Sequence, residues 1–327
     1  MRLRTVSWQD PGWRRVRHGR GFRYLDAAGR LLQGIELQHA RDLPIPPAWT
    51  DVWICAHERG HLQAVGTDAA GRRQYLYHPH WRVQRDIAKF ERVTAAAAAL
   101  PQMRRTIKNQ ILGAPADAST ERDRALAVAI RLLDLGCFRI GSETSADSGS
   151  HGLTTLQRRH CRLDGDELSF RFVGKSDIEQ HIRIQDPELA DALGPMVAKS
   201  PKTGRLLGSD VEGRWNPITA AELNQRLADL IGADFTAKDF RTWHATTTAA
   251  ATLARRPQPT TRTGCQRRIR EAMAAAADLL GNTPAIARSS YVDPRVVDKF
   301  LTGTVLPRVP ASQDALDRSV LALVNDD

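Results

Sequence analysis

The chain has 327 residues, with 47 Lys+Arg against 37 Asp+Glu, a formal net charge of +10, and a 42% hydrophobic share. That is material for about two domains at ~100–200 residues each, which excludes disordered, fibrous and mini-protein classes. Only seven of the 47 basic residues are Lys, so the excess is arginine, whose fork matches phosphate oxygens, and a polyanion is the first partner to consider.

The first segment, Met-Arg-Leu-Arg-Thr-Val-Ser-Trp, lacks the apolar stretch of a signal peptide. No run approaches the ~18 consecutive apolar residues of a membrane span, so a cytoplasmic protein without a membrane partner is expected. Short alternating runs up to about residue 80 read as strands. They are broken by a repeated turn, Asp26-Ala27-Ala28-Gly29-Arg30 and Asp68-Ala69-Ala70-Gly71-Arg72. An Asp followed three residues later by Gly suits a type I turn, and two similar hairpins predict a small antiparallel sheet. Leu43-Pro44-Ile45-Pro46-Pro47 is the loop between them, and Trp49, Trp53 and Ile54 supply core material.

The character changes at His78-Pro79-His80-Trp81, after which residues 82–100 and 103–112 carry Ala/Leu/Ile helical runs separated by Pro101. The predicted domains are a β-rich unit, 1–82, and a mainly helical unit, 83–327. A polar break spans 114–120, and Thr120-Glu121-Arg122-Asp123 offers a capped start to a helix ending at Gly136. Residues 142–150, rich in Ser and Gly, form a loop just beyond Arg139, either an ordinary connection or a segment that orders on a ligand. Residues 158–184 then switch to period two, with a tight turn at Asp164-Gly165-Asp166. They predict a three-stranded meander with Gly174-Lys175-Ser176-Asp177 at its last turn. Helices resume from Thr219, pause at 256–260, and continue in an Ala-rich run at about 266–280 that stops at Gly281. Shorter segments follow at 285–290 and 296–301, with a tail helix at 312–324. The expected fold class is α+β, a small antiparallel sheet domain followed by a helical domain with an inserted three-stranded meander.

Three patterns are decoys. His57-Glu58-Arg59-Gly60-His61 matches H-E-x-x-H, but that zinc site needs a helix, and here a Gly lies inside a strand-and-turn segment. Gly174-Lys175-Ser176 looks like the end of a P-loop, yet Ser169 stands where its first Gly belongs. Cys55, Cys137, Cys161 and Cys265 are scattered without a C-x-x-C pair and read as ordinary thiols. No metal and no cofactor are expected.

Four places carry the residue types that phosphoryl transfer needs: Arg139 in Cys-Phe-Arg-Ile-Gly, Lys175 in Phe-Val-Gly-Lys, Arg241 in Lys-Asp-Phe-Arg-Thr-Trp, and Tyr291 in Ala-Arg-Ser-Ser-Tyr-Val. Singly each is weak, because an Arg after a helix is commonly a surface side chain and a Tyr is commonly half buried. Together they make chemical sense. A phosphodiester under attack gathers charge on its non-bridging oxygens, which two permanently charged guanidiniums match. The departing ester oxygen needs a proton, and Lys is the cation whose pKa can be lowered enough to give one. A tyrosine nucleophile forms an ester close in energy to the bond it replaces, so no ATP is required, and with this much cationic charge a metal is not obligatory.

The order Arg, Lys at a β-turn, Arg, then Leu-Gly-Asn-Thr-Pro and Tyr nine positions beyond the Asn resembles type IB DNA topoisomerases of the poxvirus-like and bacterial kind. The resemblance spans most of the chain and includes Gln74-Tyr75-Leu76-Tyr77-His78-Pro79, Gly152-Leu153-Thr154-Thr155-Leu156 and Lys238-Asp239-Phe240-Arg241. It implies relaxation of supercoiled duplex DNA through a 3′-phosphotyrosyl ester on Tyr291, with Arg139, Lys175 and Arg241 in the site. It also implies a monomer clamping double-stranded DNA, with Gln74, Tyr75 and Tyr77 at positions that touch DNA in the poxvirus-like enzymes. In the family the position nine before the tyrosine is usually His, as Gly-His-Thr-Pro, whereas this chain has Gly281-Asn282-Thr283-Pro284. Asn282 keeps an N–H donor for a non-bridging oxygen but cannot be charged. Tyrosine recombinases share the Arg, Lys, Arg, Tyr set. They usually carry His where this chain has Lys238, and their amino-terminal domain is helical, although a tail helix such as 312–324 suits them. A non-catalytic or weakly catalytic DNA-binding relative is the remaining alternative.

Overall fold

A computed structural model of the chain describes residues 1–114, 116–232 and 234–326. The described residues divide into two compact units, Met1–Lys89 and Phe90–Asp327, and the division falls within one helix, Pro79–Ala97.

The first unit is a five-stranded antiparallel sheet in the order β2-β1-β3-β4-β5. Its strands are β1 (Trp13–His18), β2 (Gly21–Leu25), β3 (Thr50–Ile54), β4 (Leu62–Thr67) and β5 (Arg73–Tyr77), with α1 (Gly34–Asp42) between β2 and β3. The two Asp-Ala-Ala-Gly-Arg turns are nearly identical. Asp26 Oδ1 accepts from the Ala28 and Arg30 amides at 2.9 and 2.8 Å. Asp68 Oδ1 accepts from those of Ala70 and Arg72, both at 2.9 Å. Gly29 and Gly71 take φ of +83° and +75° to close them, a region that Gly enters without steric cost. The second turn joins β4 to β5 as expected, but the first leads only to an isolated Leu25–Leu31 bridge, and the β1–β2 hairpin closes at Gly19-Arg20 instead. Trp13, Val52, Ile54 and Ala64 form the core, and buried Arg15 fixes the Pro-rich loop by donating to the Ile45, Pro46 and Trp49 carbonyls at 2.9–3.0 Å. α1 was not legible, because of its residues only Ala40 is buried and no apolar stripe marks it. The H-E-x-x-H pentad lies in the turn between β3 and β4, and the Gln63 amide donates to the Glu58 and Gly60 carbonyls there.

α2 (Pro79–Ala97) crosses the division and α3 (Leu100–Leu112) follows, so Pro101 sits in the first turn of α3 rather than between the helices. α4 (Ala118–Gly136) is capped by Asp117, whose side chain takes the Thr120 amide at 2.8 Å. The start expected at Thr120 is therefore the third position of the capping box. The expected break at 114–120 includes Pro115, which lies outside the described residues. The 142–150 segment holds a short helix, α5 (Glu143–Asp147), capped by Ser142.

The meander is β6 (Cys161–Asp164), β7 (Glu167–Val173) and β8 (Glu179–Gln185), antiparallel in the order β6-β7-β8. α6 (Pro187–Lys199) leads to a second hairpin, β9 (Gly208–Val211) with β10 (Arg214–Pro217), not anticipated because its strands are short and mostly polar. The remaining elements are α7 (Ala220–Ile231), α8 (Ala237–Ala254), α9 (Arg262–Leu280), α10 (Pro284–Ser290), α11 (Pro294–Leu301) and α12 (Gln313–Asn325). Fourteen residues of α8 are buried, so it is the central helix of this unit. Behind it lies a buried ionic network, in which Arg104 on α3 donates to Asp134 on α4 at 2.7 Å and to Asp317 on α12 at 2.6 Å. His244 and Trp243 of α8 bond to Asp134 and Asp317 at 2.9 and 2.8 Å. The tail helix is thereby packed onto its own chain.

No helix among the described residues is long and apolar enough to cross a membrane.

Candidate active site

Three local structures deliver side chains to one place. α4 stops at Cys137, whose left-handed φ of +49° turns the chain sharply and sends Phe138 into the core and Arg139 to the half-buried edge. α9 stops at Gly281, also left-handed at φ +58°, and the next amide, that of Asn282, closes back on the Ala277 carbonyl at 2.9 Å. Thr283 then caps α10, Pro284 opens it, and Tyr291 stands at its end. The Tyr291 carbonyl accepts from Thr246 on α8 at 3.3 Å, one and a half turns beyond Arg241 on the same helix.

These elements bring Arg139, Arg241, Asn282 and Tyr291 together. Arg241 is 3% exposed. It donates to the carbonyls of Cys137 and Leu280, the latter at 2.8 Å, so the ends of α4 and α9 are both anchored on it. Its Nε is buried without a partner, and its guanidinium carbon lies 5.3 Å from the centroid of the Tyr291 ring. Arg139 Nη2 donates to Asn282 Oδ1 at 2.7 Å, and Asn282 Nδ2 is buried with no partner. Two unspent donors therefore sit within one small cluster, a condition that folded proteins rarely leave uncompensated.

The cluster shifts the acidity of its members. Burial opposes ionisation of Tyr291, yet Arg241 foremost, then Arg139 and Lys238, outweigh it and hold the phenol below its ordinary value. Burial and the charge of Arg241 pull Arg139 down, and Tyr291 offsets part of this. Lys238, exposed in the first turn of α8, was not among the expected site residues, and its electrostatic effect on Tyr291 depends on the fold. Asp239 beside it is 2% exposed and is held by Arg92 of α2 through two bonds of 2.8 and 2.9 Å, which braces the helix turn that carries Arg241.

Lys175 stands apart from this cluster. It is exposed at the tip between β7 and β8, where Ser176 and Asp177 take φ of +64° and +57°. Its neighbours Gly174 and Ile178, with Gln180, line a cavity of about 130 Å³ together with Arg139, Arg241 and Gly281. The hairpin therefore forms one wall of the site, and its tip extends beyond that wall.

Of the three expected DNA-contact residues, two share a face. Tyr75 and Tyr77 on the edge strand β5 stack with ring centroids 6.2 Å apart, and Tyr75 is 42% exposed. Gln74 alternates to the other side and donates to Asp68 Oδ2 of the β4–β5 turn at 2.8 Å, a structural bond. Among the described residues no group of three or more His, Cys, Asp or Glu is placed to hold a metal ion. All four cysteines are free, Cys55 and Cys137 buried and the other two half-buried.

A family model described as eukaryotic DNA topoisomerase I, catalytic core, matches residues 78–301. One described as bacterial DNA topoisomerase IB, N-terminal domain, matches residues 21–68. The DNA topoisomerase 1B of Acanthamoeba polyphaga mimivirus is 24% identical over 266 residues, covering 79% of this chain and 77% of that protein. The DNA topoisomerase 1B of Vaccinia virus (strain Copenhagen) is 29% identical over 155 residues, 45% of this chain and 46% of its own length. Among solved structures, the XerH site-specific recombinase bound to palindromic difH substrate in a post-cleavage complex is similar with a TM-score of 0.36 and 14% identity. That match covers 61% of this chain and 50% of the recombinase chain.

Proposed function

We infer that the chain, which belongs to the type IB DNA topoisomerase family, relaxes supercoiled duplex DNA by transient single-strand cleavage, swivelling and religation. The observation that carries this reading is the placement of Tyr291 against Arg241, with Arg139 and the unpartnered Asn282 Nδ2 in the same cluster.

The Tyr291 oxygen attacks the scissile phosphorus, and the lowering of its pKa by Arg241, Arg139 and Lys238 favours the phenolate that attack requires. As the P–O bond to the 5′ carbon weakens, charge gathers on the non-bridging oxygens. Arg139, Arg241 and Asn282 Nδ2 receive it, donors held in place before the reaction begins. Lys175, on the hairpin tip, gives its proton to the departing 5′ oxygen. The product is a 3′-phosphotyrosyl ester and a free 5′ hydroxyl. The free strand end swivels, then attacks back as Lys175 takes the proton again. The ester conserves the energy of the phosphodiester, so the cycle needs no ATP, and the cationic side chains supply the charge stabilisation that a metal would otherwise provide.

The sheet unit serves as the second half of a clamp around the duplex, with Tyr75 and Tyr77 meeting the DNA, and the active species is a monomer. Because such contacts are largely to phosphates, binding falls steeply with salt.

The test is incubation with supercoiled plasmid in EDTA without ATP, followed by rapid denaturation, with Tyr291→Phe in parallel. Relaxed topoisomers and a covalent protein–DNA adduct that both vanish in Tyr291→Phe are the expected result. Absence of both from the wild-type protein overturns the reading.

A further inference from the structure

His151 precedes the Gly152-Leu153-Thr154-Thr155 segment and has no part in the chemistry derived above, yet it lines the same cavity as Arg139, Gly174, Gln180 and Arg241. Its backbone is fixed on two sides. The His151 amide donates to the Val173 carbonyl at 2.8 Å, two residues before Lys175, and the Leu153 amide donates to the Arg139 carbonyl at 2.8 Å. Gly152 packs so closely on Gly141 that a Cβ there would run into the Gly141 backbone, and this brings His151 between the Arg139 segment and the β7–β8 hairpin.

The ring has a defined tautomer. His151 Nδ1 lies 2.9 Å from the Thr155 carbonyl oxygen, and a carbonyl only accepts, so Nδ1 carries the hydrogen and Nε2 of the neutral ring is a bare acceptor. Burial foremost lowers the pKa of this imidazole; the bond to the Thr155 carbonyl opposes it, the charges of Arg205 and Arg159 add to it, and the net shift favours the neutral ring. The ring of His160 packs 4.5 Å away and steadies its plane. A neutral imidazole with a free lone pair attracts an ammonium, whereas an imidazolium would repel one.

We propose that His151 is a positioning residue for Lys175: when DNA fills the cavity, His151 Nε2 accepts a hydrogen bond from the Lys175 ammonium and holds the proton donor against the leaving 5′ oxygen. The inference rests on the assignment of Lys175 as general acid. It gives the exposed hairpin tip a fixed point inside the cavity that the free protein does not use.

The experiment separates leaving-group effects from all others. Once a cleavage site has been mapped on a duplex, single-turnover cleavage is measured on that duplex with the ordinary 5′ oxygen and with a bridging 5′ sulfur at the scissile link. Sulfur departs without a proton, so only groups acting on the leaving group become dispensable. Lys175→Ala is expected to be slowed about 10²-fold or more on the oxygen substrate and to recover on sulfur. His151→Ala is expected to lose roughly 10-fold on oxygen and to cleave the sulfur substrate at the wild-type rate, which also establishes that the variant is folded. His151→Gln, whose Oε1 is also an acceptor, should recover most of the loss. With Lys175→Ala behaving as expected, equal losses on both substrates for His151→Ala, or no loss on either, overturn the role of His151 alone. If sulfur does not rescue Lys175→Ala, the general-acid assignment fails and the His151 inference falls with it.

Discussion

Arg139 donates to Asn282 Oδ1 at 2.7 Å, and since an arginine has no acceptor, that bond fixes which way the amide faces. The oxygen is spent on Arg139, and Nδ2 is left buried and unpartnered. The neutral side chain thus keeps one donor unused while holding a guanidinium in place.

If that donor matters, Asn282→Ala should slow single-turnover cleavage by about 10²–10³-fold, the usual cost of a lost oxyanion donor. Asn282→Asp retains an acceptor for Arg139 but loses the donor and should be comparably slow, whereas Asn282→His should be milder than either. Wild-type rates for Asn282→Ala would remove this residue from the site.

The pH profile of cleavage should report the phenol. A lowered Tyr291 pKa means the phenolate becomes populated below the ordinary tyrosine range, so the rate should rise with pH and level off at a lower pH than a free phenol would give. Arg241→Gln removes the strongest of the opposing charges and should move that inflection upward as well as slow the reaction. Ultraviolet difference titration of the phenolate, compared with Tyr291→Phe, checks the sign independently.

Stability at low pH should depend on Asp134. This carboxylate is 4% exposed. Burial pushes its pKa up, but bonds from His244 and Arg104 prevail and depress it. A depressed carboxylate contributes stability that is present above its unfolded pKa and lost as pH falls through the folded value. Thermal melts should therefore show wild-type Tm falling on acidification, and Asp134→Asn should cost about 3–5 kcal/mol near neutrality while losing part of that pH dependence.

The two sides of β5 give a contrast in DNA binding. Tyr75→Ala removes an exposed ring and should weaken binding to duplex DNA at constant salt, whereas Gln74→Ala frees Asp68 Oδ2 and should act mainly on the melting temperature. Equal loss of affinity in both variants, with unchanged Tm, would show that Gln74 reaches the DNA after all.

Helix-stop signals were legible along the chain because they are local. Gly281 ends α9 because a left-handed residue is needed there, and the Asp-Ala-Ala-Gly-Arg repeat makes the same turn twice because its hydrogen bonds lie within five residues. The same locality misled at the first of these turns, since a turn specifies a reversal but not which strand lies on its far side. α1 and the β9–β10 hairpin escaped notice because their amphipathic signal is too short or too polar, and only the surrounding elements decide that they form.

Sequence alone determined the chemistry on offer: Arg, Lys, Arg, Asn and Tyr in a fixed order, an arginine-rich +10 chain, and an α+β plan with a meander between helices. Only the tertiary structure decided which of these residues meet. Arg139 and Asn282 are 143 positions apart, and Arg241 touches the ends of both α4 and α9. The charge of Lys238 on Tyr291 and the place of His151 in the cavity wall come from distances that no spacing encodes. The physical reason is range: caps, turns and periodicities act over a few residues, whereas burial and charge act through space, so the pKa of Tyr291 belongs to the fold.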